Sequence, residues 1–271
     1  MKIAYIGIDL FFPALESLDA LDCEIVEIFT CKTDNKTEFN LQIQDFANKH
    51  NIPCQMTRIT KEDISRLQEK GCHFAICAGY YFKIPWDTNF PIVNIHPSLL
   101  PEGRGSWPMP QTILKGLQKS GVTIHKIAEG FDTGDILLQE EFSLSKDETH
   151  ESFMEKVYAL IPEMMEKLIL NFDEIFKNAT PQGDSEYWEA PTLQDMTVTE
   201  NMTVKEADLI LRAFFGYECI YQGSAGNYEL IRATAFEYSS NSLPLEGKVG
   251  FSKQNSDEVY QSPLCKGRGT T

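Results

Sequence analysis

Short apolar runs and amphipathic stretches alternate along the first third of the chain. The apolar runs are rich in β-branched residues and have the length of strands, whereas the stretches between them repeat apolar residues at helical spacing. The predicted strands are residues 2–8, 24–31, 54–56, 73–78 and 91–95, and the predicted helices between them are residues 12–20, 38–50 and 61–70. This alternation predicts an open α/β fold with a mostly parallel sheet and helices on both faces.

The pattern changes near residue 180. Before it, the predicted elements are a helix at 110–118, strands at 122–127 and 136–144, and a long amphipathic helix at 149–172 that contains Pro162. After it, they are a helix at 203–215 and short strands at 218–221, 228–236, 248–251 and 258–260. Since the segment TPQGDSEYWEA at 180–190 is typical of a linker, we predict a main domain at 1–180, a linker at 181–202 and a small helix-plus-β domain at 203–271.

Three polar residues stand out at the ends of predicted strands. Asn94 and His96 close the strand at 91–95, where alternate residues share a face, and Asp132 lies in a glycine-bounded turn after the strand at 122–127. This set of groups suits acyl transfer: the amide can stabilise an oxyanion, the imidazole can transfer protons, and the carboxylate can tune the imidazole. No serine or cysteine in the cluster must be a nucleophile, which favours direct attack by an external amine. Such residues also serve as turn and capping residues, so spacing alone leaves both interpretations open.

Charge and composition narrow the choice of ligands. Lys and Arg number 24 against 40 Asp and Glu, a formal net charge of −16, which disfavours polyanionic partners unless the fold holds a basic patch. The seven cysteines form no CxxC pair and no grouping with histidine, which predicts free thiols and no metal site. No GxGxxG follows the first strand, so a dinucleotide is not expected. No apolar stretch has the length of a membrane span, and the start MKIAYIGIDL lacks a signal sequence, so a cytoplasmic location without a membrane partner is expected.

The combination of NIHPSLLP at 94–101, Arg104-Gly105 and GFDTGD at 130–135 resembles the core of the formyltransferases that use 10-formyltetrahydrofolate. This family includes methionyl-tRNA formyltransferases, amino-sugar-nucleotide N-formyltransferases and glycinamide ribonucleotide formyltransferases. The resemblance implies a Rossmann-like catalytic domain at 1–180, 10-formyltetrahydrofolate as co-substrate, no metal, and catalytic roles for Asn94, His96 and Asp132. The cofactor-binding residues it implies are Tyr80, Phe82, Lys83, Ile84, Ser98, Leu99, Leu100, Pro101, Gly130 and Phe131. Residues 79–85 also fit a strand-end loop with core aromatics.

The loop at 103–108 combines two glycines, a cation and a large aromatic ring, and we expect Arg104, Gly105 and Trp107 to contact the acceptor. Arg104 suits an acceptor phosphate or carboxylate, but it equally suits a structural pair with a nearby acid. Glu148 and Glu151, at the start of the long helix, are expected to be solvated surface charges.

The acceptor class is predicted from charge and from the resemblance. Methionyl-tRNA formyltransferases usually carry a long basic loop where this chain has only the nearly neutral residues 32–37. This difference favours a small-molecule acceptor, the amino group of an amino-sugar nucleotide. Methionyl-tRNA is the alternative, because the predicted C-terminal module resembles the open barrel of that branch, with Arg212-Ala213-Phe214 as part of the match.

A non-catalytic folate-binding module is disfavoured because mere binding does not need the whole set of Asn94, His96 and Asp132. Glycinamide ribonucleotide is disfavoured because those enzymes begin with a glycine-rich phosphate-binding turn that is not found here. The sequence leaves the oligomeric state open, a homodimer included.

Overall fold

The computed structural model describes residues 1–224 and 226–230. Ten strands are named in this part: β1 (Lys2–Gly7), β2 (Glu24–Phe29), β3 (Cys54–Gln55), β4 (Phe74–Ala78), β5 (Ile92–His96), β6 (Lys119–Lys126), β7 (Ile136–Ser143), β8 (Thr197–Thr199), β9 (Cys219–Gly223) and β10 (Gly226–Leu230). The helices are α1 (Phe12–Ala20), α2 (Leu41–His50), α3 (Lys61–Glu69), α4 (Pro108–Leu114), α5 (His150–Leu170), α6 (Phe172–Lys177) and α7 (Val204–Ala213).

Seven strands form one sheet in the order β3-β2-β1-β4-β5-β6-β7. The first five are parallel, and β6 and β7 run antiparallel to their neighbours. The order reverses at β1, since β2 lies on one side of it and β4 on the other. The carboxyl ends of β1, β4 and β5 therefore open onto the crevice where ligands bind in folds of this type. The predicted α/β fold class is confirmed.

The central strands are apolar on both faces because helices cover both sides of the sheet. On β1, Tyr5 packs in the cluster that contains Leu15 of α1 and Phe153 of α5. Its neighbour Ile6 points the other way and packs with Leu67 of α3. All five of these side chains are fully buried. The two cores fix the strand ends that carry the polar residues.

Two helices differ from the prediction. Helix α4 begins at Pro108, since proline is well suited to the first helical position, and it ends before Gly116, whose φ of 65° stops the helix. Helix α5 continues through Pro162 to Leu170. The predicted end at residue 172 was wrong because Asn171 separates α5 from α6.

Strands β8, β9 and β10 form a second sheet, which packs with α7 beside the main domain. Phe214 is fully buried there and meets Ile113 of α4 and Trp107. Strand β8 lies inside the predicted linker, where its three residues were too short to be detected. The predicted strands at 248–251 and 258–260 and most of 228–236 lie outside the described residues. The boundaries 1–180, 181–202 and 203–271 remain a prediction.

Glu148 is not the solvated charge that its position suggested. Its side chain is only 3% exposed and accepts hydrogen bonds from the Ser145 amide and the Ser152 hydroxyl, each at 2.6 Å. It also pairs with Lys156, and its carbonyl accepts from Arg212 of α7. Glu148 therefore joins the start of α5 to the C-terminal module.

His150, two residues further along the chain, is buried against Trp107 and Tyr217. Its Nε2 accepts a hydrogen bond of 3.3 Å from the indole of Trp107, and its ring packs against Tyr217. Burial lowers the pKa of His150 to about 4. The folded protein therefore resists protonation of this ring.

We expect this histidine to make the protein less stable in mild acid. Between pH 7.5 and 5 the unfolded chain protonates His150 and the folded chain does not, so stability falls by about 2 kcal/mol from this group alone. Urea unfolding of wild type and His150→Gln at both pH values measures the effect. The variant, whose amide oxygen can still accept from Trp107, should lose less stability on acidification. Equal losses in both proteins would contradict the expectation.

No helix in the described part of the chain is long and apolar enough to cross a membrane.

Candidate active site

A cavity of about 480 Å³ opens at the carboxyl ends of β1, β4 and β5. Its walls come from the loops after these strands, from the turn before β7, and from the segment that leads to the second sheet. Asn94, His96 and Asp132 all line it. The structure thus brings the three residues singled out in the sequence to one site.

Asp132 lies at the centre of the polar cluster. Its φ of 55° is a left-handed conformation that aspartate tolerates better than most residues, and it turns the carboxylate toward the strand ends. Oδ2 accepts a 3.0 Å hydrogen bond from the amide of Gly105. Oδ1 lies 3.4 Å from Asn94 Nδ2, 3.6 Å from His96 Nδ1 and 3.4 Å from His125 Nε2.

The protonation pattern of His96 follows from its partners. Nε2 lies 2.8 Å from the carbonyl oxygen of Gly103, which can only accept, so Nε2 carries a hydrogen. Nδ1 is then the nitrogen that faces Asp132 and can exchange a proton. The ring is 5% exposed, and its position is fixed by the loop carbonyl.

His125 is a fourth member of the cluster, and the sequence analysis did not identify it. It lies on β6, directly opposite Asn94 in the antiparallel pair with β5. Its Nδ1 donates to the carbonyl of Lys126 at 2.8 Å, so its Nε2 accepts from the Asn94 amide at 3.1 Å. The alternation at 122–127 placed His125 on a strand, but pairing with Asn94 requires the antiparallel register, which the sequence does not show.

Charge and burial shift the pKa values of this cluster in opposite directions. Burial alone would raise the pKa of Asp132, but His96 and the hydrogen bond from the Gly105 amide lower it well below its usual range. Burial lowers the pKa of His96, and the nearby Asp132 offsets only part of that change. The carboxylate is thus ionised at neutral pH, next to a histidine that can take up or release a proton.

The loop after β4 and the turn near Asp132 form one end of the cavity. Six of the ten residues predicted to bind the cofactor line the cavity: Tyr80, Phe82, Lys83, Ile84, Gly130 and Phe131. The Tyr80 hydroxyl donates to the Thr57 carbonyl and accepts from the Ile59 amide, which fixes this loop. Lys83 Nζ lies 5.9 Å from the centre of the exposed Phe131 ring.

The other four, Ser98, Leu99, Leu100 and Pro101, are not among the residues that line the cavity. The chain turns away after Pro97 and packs on β6: Leu100 is 2% exposed, and its amide donates to the Thr123 hydroxyl. The Ser98 hydroxyl donates to the carbonyl of Glu102. The expectation that these four contact the cofactor does not fit their position, since they support the strand ends from behind.

Arg104 also differs from the expectation. Its guanidinium is held by Gln182 Oε1, at 3.2 and 2.9 Å, and by the Gly183 carbonyl at 2.8 Å, and the residue is 9% exposed. Gln182 in turn donates to the carbonyls of Asp132 and Gly134. Arg104 therefore braces the Asp132 turn through its Nε and Nη2, and it is not among the residues that line the cavity.

Gly105 and Trp107, the other residues expected to contact the acceptor, line the cavity together with Tyr187 and Tyr217. The two tyrosines come from the segments before and after β8, so the chain beyond α6 completes the wall. Within the residues the structure describes, no group of three or more His, Cys, Asp or Glu is arranged to hold a metal ion.

An open α/β sheet with a polar cluster at the carboxyl ends of its strands is the architecture of a ligand-binding α/β enzyme. Residues 20–169, more than half of the chain, match the profile described as formyl transferase. The chain therefore belongs to the formyl transferase family; it is an N-formyltransferase by family, and formyl-tetrahydrofolate is its co-substrate.

Curated relatives extend the comparison. The chain is 33% identical over 185 residues to a methionyl-tRNA formyltransferase of Rickettsia massiliae (strain Mtu5), covering 65% of this chain and 61% of that relative. It is 28% identical over 249 residues to a methionyl-tRNA formyltransferase of Rickettsia rickettsii (strain Iowa), covering 88% of this chain and 81% of that relative. The fold is similar to a sugar N-formyltransferase from Shewanella sp FDAARGOS_354, with a TM-score of 0.68 and 18% identity over 88% of this chain and 99% of that one.

Proposed function

We propose that the protein transfers the formyl group of 10-formyltetrahydrofolate to the primary amine of an amino-sugar nucleotide. The observation that carries the proposal is a single cavity in which the loop at 79–85 and the Asn94, His96 and Asp132 cluster face a common space. The pterin occupies the end formed by Tyr80, Phe82 and the turn at Gly130. The formyl group then reaches the polar cluster, and the amine enters from the side of Trp107.

Attack of the amine nitrogen on the formyl carbon forms the new C–N bond and places a negative charge on the carbonyl oxygen. The Asn94 amide donates to this oxyanion. Both of its hydrogens already have partners, His125 at 3.1 Å and Asp132 at 3.4 Å, and the longer contact is the one the oxyanion replaces. His125 thus acts as a positioning residue, because its acceptor nitrogen holds the amide plane.

A second proton, on Nδ1 of His96, makes an imidazolium whose Nδ1–H faces Asp132 and whose positive charge stabilises the oxyanion. The carboxylate stabilises this charge and takes the proton that the attacking amine loses, directly or through water. Because the pair is coupled, its two titrations belong to both groups. The carbonyl re-forms as the bond to N10 of the folate breaks, and the proton that Asp132 took from the amine passes to N10, which releases tetrahydrofolate and the N-formyl product.

The choice of acceptor rests on charge. Of the described residues that line the cavity, Lys83 is the single lysine or arginine, and it lies at the end assigned to folate. A polyanion such as tRNA is normally held by many such cations. The formal charge of −16 and the short loop at 32–37 support the same acceptor.

Methionyl-tRNA is the second candidate. The observation in its favour is that the curated relatives described above are methionyl-tRNA formyltransferases. The two candidates share the chemistry at Asn94, His96 and Asp132, so the acceptor alone separates them.

Tetrahydrofolate release from 10-formyltetrahydrofolate, measured against a panel of amino-sugar nucleotides and charged initiator tRNA, tests the proposal. We expect turnover with at least one sugar nucleotide and only residual turnover in Asp132→Asn, which serves as the blank. Turnover with methionyl-tRNA alone would assign the second candidate. Release that needs no amine and persists in the blank would contradict formyl transfer at this site.

A further inference from the structure

A carboxylate enters the cavity from the loop between β2 and α2. Glu38 lines the cavity and accepts a hydrogen bond at Oε2 from the hydroxyl of Tyr81, which lines it too. Neither residue belongs to the Asn94, His96 and Asp132 cluster. The proposed chemistry therefore leaves Glu38 without a role.

The loop holds this carboxylate in place before any ligand binds. Oδ1 of Asp34 accepts hydrogen bonds from the amides of Lys36, Thr37 and Glu38 at 2.9, 3.0 and 3.1 Å. The carbonyl of Glu38 accepts from the Asn35 amide at 3.0 Å. Four contacts to backbone amides thus fix an eleven-residue connection that could otherwise move, and a fixed group loses little entropy when it binds a ligand.

The loop is also tied to the carboxyl end of β1. The Asp9 amide donates to the Phe39 carbonyl at 2.8 Å, and the Asp9 carboxylate accepts from the amides of Gln42 and Ile43 at the start of α2. Asp9 belongs to the turn that carries Leu10 and Phe11, both of which line the cavity. Glu38 is therefore positioned relative to the same strand ends as the polar cluster.

The surroundings of Glu38 define the ligand chemistry it suits. Tyr217 lines the same cavity, and burial and the charge of Glu38 raise its pKa to about 12. Its ring packs against the Trp107 indole, with ring centres 4.6 Å apart. Tyr187 lines the cavity as well, and burial and the charge of Asp132 raise its pKa. The cavity that both carboxylates line is therefore also lined by phenols and the Trp107 indole.

An ionised carboxylate only accepts hydrogen bonds, and Tyr81 already supplies one donor. Its remaining lone pairs need donors from the ligand. A phosphate offers none and would be repelled, whereas a hydroxylated ring offers several and also presents C–H faces to aromatic side chains. We propose that Glu38 determines acceptor specificity by accepting a hydrogen bond from a ring hydroxyl of the sugar that carries the reacting amine; this inference rests on the proposed function. Nucleotide phosphates then remain outside the space between Glu38 and Asp132.

Steady-state kinetics of Glu38→Gln with the best sugar nucleotide tests this assignment. The amide oxygen of glutamine is a weaker, uncharged acceptor, so the acceptor KM should rise by roughly 10-fold. The KM for 10-formyltetrahydrofolate should change less than the acceptor KM, because Glu38 lies outside the loop at 79–85 and contacts it through the Tyr81 hydroxyl. Glu16→Gln, the same change at an exposed position of α1 outside the cavity, is the matched control and should leave both constants unchanged.

Acceptor analogues that each lack one ring hydroxyl provide the second measurement. One analogue should be a poor substrate for wild type and suffer no further loss in Glu38→Gln, because the hydroxyl and the carboxylate act as a pair. Wild-type turnover of a sugar nucleotide with an unchanged acceptor KM in Glu38→Gln would overturn this inference and leave the proposed function standing. Turnover of no sugar nucleotide by wild type would overturn both.

Discussion

Replacing Asp132 with asparagine is expected to lower kcat/KM for formyl transfer by about a thousandfold. The asparagine keeps the shape of the side chain and can still accept from the Gly105 amide, but it removes the charge that lies 3.6 Å from His96 and 3.4 Å from His125. Without that charge the imidazolium is not stabilised, and the amine proton has no carboxylate to receive it. The expected fall in rate is comparable with the fall seen when other preorganised charges are removed from active sites. Stopped-flow or steady-state release of tetrahydrofolate measures the effect.

Asp135→Asn is the matched control for this prediction. Asp135 lies in the same turn, is 40% exposed at its side chain, and pairs with Lys126 at 3.1 Å without lining the cavity. The rate of Asp135→Asn should stay within about threefold of wild type, because exposed ion pairs contribute little to stability. Tetrahydrofolate should still bind Asp132→Asn with near wild-type affinity. A similar loss of rate in both variants would instead indicate that net charge in the turn matters and that Asp132 has no special part.

Substituting alanine for Gly134 should damage both stability and catalysis. A Cβ at this position would lie 1.9 Å from the carbonyl oxygen of Lys126, which is backbone and cannot move independently of β6. Relief of the clash has to displace the Asp132 turn. We expect a loss of about 3 kcal/mol in the free energy of unfolding. We also expect kcat/KM to fall about a hundredfold, because a shift of roughly 1 Å in a catalytic group has that effect.

Gly183→Ala is the control for the glycine substitution. It lies in the neighbouring segment, and a Cβ there meets nothing within 4 Å. Urea unfolding and tetrahydrofolate release should both match wild type. If Gly134→Ala folds with wild-type stability and rate, the close approach of the turn to β6 is not a constraint on the site.

The sequence predicted the parallel sheet and the main polar residues because both depend on local patterns. Apolar runs define strands buried on both faces, and a strand end places Asn94 and His96 at a sheet edge whatever the distant packing is. Six of the predicted cofactor residues also reach the cavity, since the loop after β4 and the Asp132 turn both open at the same edge. Roles at the site remain predictions for the experiments above.

Features that depend on distant parts of the chain were missed. His125 joins the cluster through the antiparallel register of β6, and Arg104 turns inward because Gln182 and Gly183 return to the Asp132 turn from a segment predicted to be a linker. Leu100 matched the family motif but packs against Thr123. These contacts join residues that are far apart in the sequence, so neither spacing nor composition predicts them.

The segment around Gln182 changes how hybrid enzymes of this family should be built. The Gln182 side chain holds the Asp132 turn, Trp188 approaches Gly105 so closely that a Cβ there would lie 2.1 Å from its carbonyl, and Tyr187 and Ala190 line the cavity. A chimaera joined at residue 181 would take this segment from the foreign module. The contacts just described would then be lost, and the Asp132 turn would lose its support. A junction placed after Ala190 keeps these contacts and, within the described residues, exchanges Tyr217 alone among those that line the cavity, so the transplantable piece begins later than the sequence boundary suggests.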